Sequence, residues 1–238
     1  AQDAITAMRP YSNKLTKMLV NLSSSIDFEN IYLKPRKAEN LLVVCISSNR
    51  GLCGAFNSNI IKQTNQLAEI YSDKKLSVLA IGKKGNDVLS KSVEILSNQS
   101  TVFDKLSFEN VAEIAEMLMA KFESGEFDKV ELVYNKFKNA ATQIVTTEQF
   151  LPIVATANER GEPSDYIFEP TKEEIVKTLI PKSLKMQLYK AIRDSFASEH
   201  GARMTAMHKA TDNATELRDQ LKLTYNKARQ AAITNEIL

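Results

Sequence analysis

Hydrophobic residues in the middle of the chain fall into short continuous runs that are separated by amphipathic stretches. Continuous apolar runs such as 41–46 and 76–81 are typical of strands covered on both faces. The pattern predicts strands over 41–46, 76–81, 93–96, 130–137 and 143–151, and helices over 59–71, 85–92 and 108–124. This alternation predicts an α/β body over 40–155 with a mostly parallel sheet, whose last two strands are antiparallel neighbours.

Helical patterns flank this body on both sides. Residues 1–30 open with apolar positions at three- and four-residue spacings, which predicts an amphipathic helix, and Pro10 is expected to kink it. Residues 156–170 are polar and carry a glycine and two prolines, so they are predicted to form a linker loop at the foot of the molecule. A second helix is predicted over 171–238.

The second helix is unusually long. Thr171 is a good N-cap and Glu174 completes a capping box, while Pro181 is an expected kink. The 57 residues after Pro181 contain no proline and a single glycine, and as one straight helix they would extend about 85 Å. Such a rod is too long to fold back inside the body, so we expect it to project and to find its partners elsewhere.

A heptad seam of apolar and small residues runs along this rod. Its positions are Met207, Ala210, Ala214, Leu217, Leu221, Thr224, Ala228, Ala231, Asn235 and Leu238. The obvious partner is the much shorter helix of residues 1–30, running antiparallel. Because helical patterns run into both ends of the chain, we expect further helical residues beyond them. The expected fold is a Rossmann-like α/β body flanked by terminal helices that form an antiparallel coiled coil.

Charge is distributed unevenly, although the net charge is only +2. Residues 182–238 hold ten lysine and arginine residues against six aspartate and glutamate residues, and the remainder holds 21 against 23. A mildly basic rod on a mildly acidic body suggests that the rod meets acidic surfaces. The basic residues are spread among acids instead of clustering, which argues against nucleic-acid binding. No run approaches the ~18 apolar residues of a membrane span, so we expect membrane association only through another protein.

Two glycine-bearing turns are candidate phosphate sites. Residues 47–54 follow the first strand, where doubly wound folds hold phosphates, and residues 82–85 follow the second. Neither turn matches the Gly-x-Gly-x-x-Gly fingerprint or the Gly-x-x-x-x-Gly-Lys-Ser/Thr fingerprint. The backbone demands of a tight turn are the favoured explanation of Gly51 and Gly54, residues 82–85 are too short for a phosphate cradle, and no cofactor is expected.

Cys53 lies near Arg50 and is the candidate nucleophile. A cysteine nucleophile needs a base, and the two histidines, His200 and His208, both lie on the rod. They are eight residues apart, which is too wide for a shared metal. A structural turn cysteine is the favoured interpretation, and we predict no catalytic or metal-binding residue. The two cysteines, Cys45 and Cys53, do not make a disulfide framework, which favours a reducing compartment.

Three segments resemble the γ subunit family of F-type ATP synthases. They are Ser48–Gly54, Ala197–Asn213 and Tyr225–Thr234, and the resemblance extends in order along the whole chain. Family members begin with a further helical segment and end with a short tail, both beyond this sequence. The body carries no insertion of the kind that confers redox regulation in chloroplasts, which favours a bacterial-type subunit.

This resemblance implies the central shaft of a rotary motor. The paired terminal helices would stand inside a hexamer of α and β subunits, and the body would sit below it, beside the ε subunit and on the c-ring. Proton flow would turn the ring and the shaft, and the shaft would have no catalytic site and no membrane insertion. The implied location is the cytoplasmic face of the bacterial inner membrane.

The resemblance also implies which residues contact partners. Contacts with the β subunit loops or the sleeve around the rod are implied for Arg203, Arg229, Gln230, Thr234 and Glu236. Contacts at the foot near the c-ring are implied for Tyr166, Phe168 and Glu169, and contacts of the body for Arg50. It implies no role for His200 or Gly201. Two alternatives stay open: an enzyme with a degenerate doubly wound domain and a coiled-coil dimerisation arm, and a binding scaffold that does not rotate.

Overall fold

The computed structural model of the 238-residue chain describes residues 30–153 and 172–237, together with Pro10, Tyr11, Lys14, Leu15 and Met18. Those five residues are helical, as predicted, and Leu15 is buried. The predicted linker 156–170, the N-cap Thr171 and most of the first helix lie outside the described residues.

The described part of the body has the elements that the hydrophobic pattern predicts. The strands are β1 (Asn40–Ile46), β2 (Lys75–Ile81), β3 (Glu94–Asn98), β4 (Lys129–Phe137) and β5 (Gln143–Leu151). The helices are α1 (Phe56–Ile70), α2 (Lys83–Leu89), α3 (Phe108–Glu123) and α4 (Lys172–Ile237). One short 3-10 helix, Ser100–Phe103, was not predicted.

The strands form one sheet in the order β3-β2-β1-β4-β5. The first four are parallel, and β5 pairs antiparallel with β4. A mostly parallel sheet with one antiparallel pair is therefore confirmed. The central position of β1 explains why its whole apolar run is buried, since both of its edges and both of its faces are covered.

Alternate residues of the central strands supply two separate hydrophobic cores. On one face of the sheet, Leu42 and Val44 join side chains of α3 and α4. On the other face, Val43 and Cys45 pack with Ile60 of α1. Because successive strand residues point to opposite faces, one continuous apolar run can serve both layers.

Helix α4 continues through Pro181 as a single element of 66 residues. Its first part packs against the sheet through a stripe at three- and four-residue spacing, which comprises Ile180, Leu184, Leu188, Ala191 and Ile192. The last buried apolar residue is Ala202, and residues 207–235 are exposed. Helix α4 therefore has a first part that packs against the sheet and a second part that projects from it. The sequence pattern did not predict this division, because it treated all of residues 182–238 as one projecting rod.

Candidate functional site

The carboxyl end of β1 is packed so closely against the start of α2 that only glycine fits there. Gly82 has a φ of 113°, and a Cβ atom at this position would lie 2.3 Å from the carbonyl oxygen of Ser47. A Cβ at Gly85 would lie 2.7 Å from the Ser47 Oγ. Gly82 and Gly85 are therefore explained by the close approach of Ser47, since a side chain at either position would collide with it.

The backbone N–H groups at the start of α2 already have protein acceptors. Gly85 donates to the Ser47 Oγ at 2.9 Å, Lys84 donates to the Ser48 carbonyl at 3.0 Å, and Lys83 donates to the Asn49 Oδ1 at 3.1 Å. A phosphate at a helix N-terminus needs donors of this kind to be available. The loop after β1 occupies that position, which supports the structural interpretation of both glycine-bearing turns.

The loop of residues 50–54 is held in an unusual backbone conformation. Leu52 has a φ of 61°, rare for a residue with a side chain, and that side chain is 75% exposed. Cys53 next to it is buried, and its Sγ accepts a hydrogen bond from the Asn57 Nδ2 at 3.2 Å. The structure thus places Cys53 as a turn cysteine. Burial also raises the pKa of the Cys45 thiol to about 12, so this second thiol is held in its neutral form.

Arg203 ties the long helix to this loop. One guanidinium nitrogen of Arg203 donates to the carbonyl oxygens of Arg50, at 3.3 Å, and Gly51, at 3.2 Å. The other terminal nitrogen lies 2.7 Å from the Glu199 carboxylate, one helical turn earlier. Both side chains of this ion pair are largely buried, so it is shielded from solvent screening. This contact with the body was not expected from the sequence, and it brings Arg203 and the backbone of Arg50 together.

The hairpin between β4 and β5 contacts the same turn of the helix. Gly201 lies so near the hairpin tip that a Cβ atom would be 2.8 Å from the Ala140 carbonyl oxygen and 3.0 Å from the Ala140 Cα. The Thr205 Oγ1 shares its one hydrogen between this carbonyl, at 3.4 Å, and the Gly201 carbonyl within the helix, at 3.1 Å. No role was expected for Gly201, yet here it permits the helix to touch a neighbouring backbone. A single glycine in a long helix was the signal that could have revealed this approach.

In the preceding turns of α4, serine hydroxyl groups join the helix to the carboxyl ends of the central strands. The Ser198 Oγ donates to the Asn135 carbonyl of β4 at 3.0 Å. The Ser195 Oγ donates to the Ile46 carbonyl of β1 at 3.5 Å. His200 has its ring edge-on to the Phe196 ring, with centroids 4.5 Å apart, and so has a packing role. The helix is therefore fixed to strand ends by directional bonds as well as by apolar packing.

Three of the predicted partner contacts, near the far end of the rod, lie on its exposed part. Arg229, Gln230 and Thr234 are exposed, and the Thr234 Oγ1 donates to the Gln230 carbonyl within the helix. Glu236 belongs to α4, and Tyr166, Phe168 and Glu169 lie outside the described residues. The structure does not bring Arg229, Gln230 and Thr234 together with Arg203, which lies several helical turns earlier in α4. They are equally remote from the Arg50 loop that Arg203 contacts. Their contacts with partners stay predictions.

Within the described ranges, histidine, cysteine and carboxylate side chains do not gather in groups of three that could hold a metal ion. None of the described helices combines the length and the apolar character of a membrane span.

Comparison with known proteins gives consistent matches over the whole chain. A family model described as ATP synthase matches residues 1–238. The ATP synthase gamma chain of Flavobacterium psychrophilum is 67% identical over 241 residues, which cover all of this chain and 84% of that protein. The gamma chain of Geotalea uraniireducens is 41% identical over 242 residues, with the same coverage of both chains.

Solved structures match as well. A chain in the central stalk and c-ring structure of Tetrahymena thermophila mitochondrial ATP synthase is 25% identical, with a TM-score of 0.58; the match covers 87% of this chain and 99% of that chain. A chain of Euglena gracilis mitochondrial ATP synthase gives a TM-score of 0.64 at 21% identity, covering 100% of this chain and 90% of that chain. The second likeness shows a shared fold.

Proposed function

This chain belongs to the ATP synthase gamma chain family, and from that premise we propose that α4 transmits torque between its body and the catalytic subunits. The chain is a central-stalk subunit that partners the α and β subunits, the ε subunit and the c-ring. The observation that carries the proposal is the division of α4. One helix is fixed to the sheet over its first part and exposed over residues 207–235.

The exposed part of α4 suits contact with several subunits in turn. A single rod has no rotational symmetry, so it cannot contact three identical β subunits in the same way. Its contacts therefore favour different open and closed populations in each β subunit. Carrying a two-state equilibrium from 1:99 to 99:1 requires a difference of about 5.5 kcal/mol. Rotation passes this bias from one β subunit to the next, and linkage lets hydrolysis drive rotation in return.

We assign the partner contacts accordingly. Arg229, Gln230, Thr234 and Glu236 contact the β subunits or the sleeve around the rod, and the surplus of basic residues on the rod supports acidic partner loops. Arg203 is a partner contact only through the part of its side chain that the body leaves open. The foot residues Tyr166, Phe168 and Glu169 contact the c-ring, and the Arg50 loop contacts a neighbouring subunit.

The chain itself contributes no catalytic site in this proposal. The donors at the start of α2 are bonded to the loop after β1, and Cys53 is buried in a turn. These contacts count against the alternative of an enzyme with a dimerisation arm, and family membership favours the motor. We place the subunit at the cytoplasmic face of the bacterial inner membrane, peripheral to it. The bacterial relatives support that location.

A rotation assay tests this function directly. The chain is assembled with purified α and β subunits, the hexamer is fixed to a surface, and a bead is attached to the body. We expect ATP to turn the bead in one direction, because the body and α4 rotate as one unit. A complex that hydrolyses ATP while the bead stays still would overturn the proposal.

A further inference from the structure

The turn of α4 between Glu199 and Thr205 lies where the helix leaves the body. We propose that this turn is a torsional key, in which Gly201, Arg203 and Thr205 are positioning residues that fix the rotation of the helix relative to the sheet. The inference rests on the proposed function, since it names the place where torque passes from the body to the rod.

The two sets of contacts fall on opposite faces of the helix. Successive residues of an α-helix are about 100° apart around its axis, so residues 201 and 203 point in directions about 200° apart. Residues 199 and 203 lie within about 40° of each other, as do residues 201 and 205. The key therefore has one side made by Glu199 and Arg203, and another side made by Gly201 and Thr205.

On the first side, the guanidinium group of Arg203 bridges three acceptors. It contacts the Glu199 carboxylate at 2.7 Å and the carbonyl oxygens of Arg50 and Gly51 at 3.3 and 3.2 Å. The loop is held in place by the Ser48 Oγ, which donates to the Arg50 carbonyl at 2.6 Å. Because the guanidinium is a planar group with donors in fixed directions, it restrains angle as well as distance.

On the second side, the helix backbone rests on the hairpin tip without an intervening side chain. The position of a Cβ on Gly201 would be 2.8 Å from the Ala140 carbonyl oxygen, to which Thr205 also donates. The tip has a fixed shape, because the Asn139 Oδ1 accepts hydrogen bonds from the backbone N–H groups of residues 141 and 142, at 3.1 and 2.7 Å. A rigid tip against bare backbone leaves little room for the helix to roll.

Contact on one face alone would let a loaded helix roll or slide across the sheet. Contacts on opposite faces of one turn resist rolling as a pair, since movement in either direction compresses one side. Close-packed protein surfaces of this kind transmit strain with little deformation. The exposed part of α4 begins just beyond the key. Any rotation of the helix relative to the sheet at the key would therefore turn the whole projecting rod by the same angle.

The test uses the assembled complex with a bead on the body and compares Gly201→Ala with wild type. The new methyl group collides with the hairpin backbone and opens the second side, while the Arg203 side is kept. With one of two similar restraints lost, the part of the bead-angle variance that arises at the key should rise about twofold, because angular variance is inversely proportional to stiffness. The total variance during pauses should therefore exceed that of wild type.

A matched pair of variants guards against misfolding of Gly201→Ala. Thr205→Val loses the contact with the hairpin together with an intrahelical bond to the Gly201 carbonyl. Thr211→Val loses only the corresponding intrahelical bond, to the Met207 carbonyl. We expect a broader bead angle for Thr205→Val alone. Equal angular variance in Gly201→Ala and wild type, or in the matched pair, would reduce these contacts to a structural role. The proposed function would survive that result, because it fails only if the wild-type bead does not turn.

Discussion

The two parts of α4 share one backbone but depend on different interactions. From Ile180 to Ala202 the helix buries an apolar stripe and bonds to strand ends, while from residue 207 to residue 235 every side chain is exposed. The first part is stabilised by the sheet. The second part has, within the described residues, only its own helical bonds and surface pairs, and long helices gain most of their stability from tertiary packing.

This difference indicates how the sequence of one helix can specify both a part fixed to the body and a part that projects from it. The seam residues Leu217 and Leu221 are as apolar as Leu188, yet they are more than half exposed, and Leu188 is fully buried. Hydrophobic periodicity therefore marks a surface that will be covered, without saying by what. We expect the partner subunits and a companion helix to cover this surface in the assembled complex, as the sheet covers the first part of α4.

The largest contrast should appear in amide hydrogen exchange of the isolated chain. We expect amides of residues 207–235 to exchange at least about a hundredfold faster than those of residues 184–202, because local opening there breaks no buried contacts. Mass spectrometry of peptides from the two ranges measures this difference. Equal protection along the helix would mean that the projecting rod is stable without partners.

The second-largest contrast between the two parts of α4 should appear in the free energy of unfolding when a leucine is replaced by alanine. Leu188→Ala should lower the free energy of unfolding by about 2–5 kcal/mol, because it leaves a cavity between α4 and the sheet. Leu221→Ala, at a position 61% exposed, should change it by less than about 0.5 kcal/mol. Urea unfolding of both variants gives the two values. Similar losses would contradict the division of the helix.

Hydroxyl removal gives a smaller contrast of the same kind. Ser198→Ala should cost about 1–2 kcal/mol, because the buried Asn135 carbonyl loses the hydroxyl that bonds to it. Thr211→Val is the control, since its hydroxyl bonds only within an exposed turn, and should be nearly neutral. If both changes are neutral in urea unfolding, directional bonds do not help to fix α4 to the strands.

The smallest effect on stability should accompany a large effect on function. Arg229→Ala combined with Gln230→Ala should leave the free energy of unfolding within about 0.5 kcal/mol of wild type, because both side chains are exposed. ATP-driven rotation of the assembled complex should weaken. Arg218→Ala with Gln220→Ala removes the same residue types from the same exposed rod. Unchanged rotation in the first variant would remove Arg229 and Gln230 from the contacts.

The body could be predicted closely from its sequence because buried parallel strands are continuous apolar runs. The runs 41–46 and 76–81 match β1 and β2 to within one residue at their amino ends. The order of the strands was not predictable in the same way. It depends on which crossovers pack best, and alternation within a strand carries no information about its neighbours.

The torsional contacts were missed for a related reason. Arg203 contacts carbonyl oxygens, and carbonyl groups occur at every residue, so no pattern in the sequence marks the loop that Arg203 will touch. The partner contact expected for Arg203 followed from the resemblance alone. Gly201 did leave a trace, as the single glycine of the long rod, but only the hairpin geometry shows what it approaches.

The packing of Ser47 against the start of α2 affects whether this subunit can bind the nucleotides that surround it in the assembled complex. A doubly wound fold usually offers its helix N-termini to phosphate groups. Here the Ser47 hydroxyl, the Ser48 carbonyl and the Asn49 amide oxygen already accept the bonds that a phosphate would take. The start of α2 therefore has no free backbone donors at residues 83–85 to offer to the phosphates of ATP.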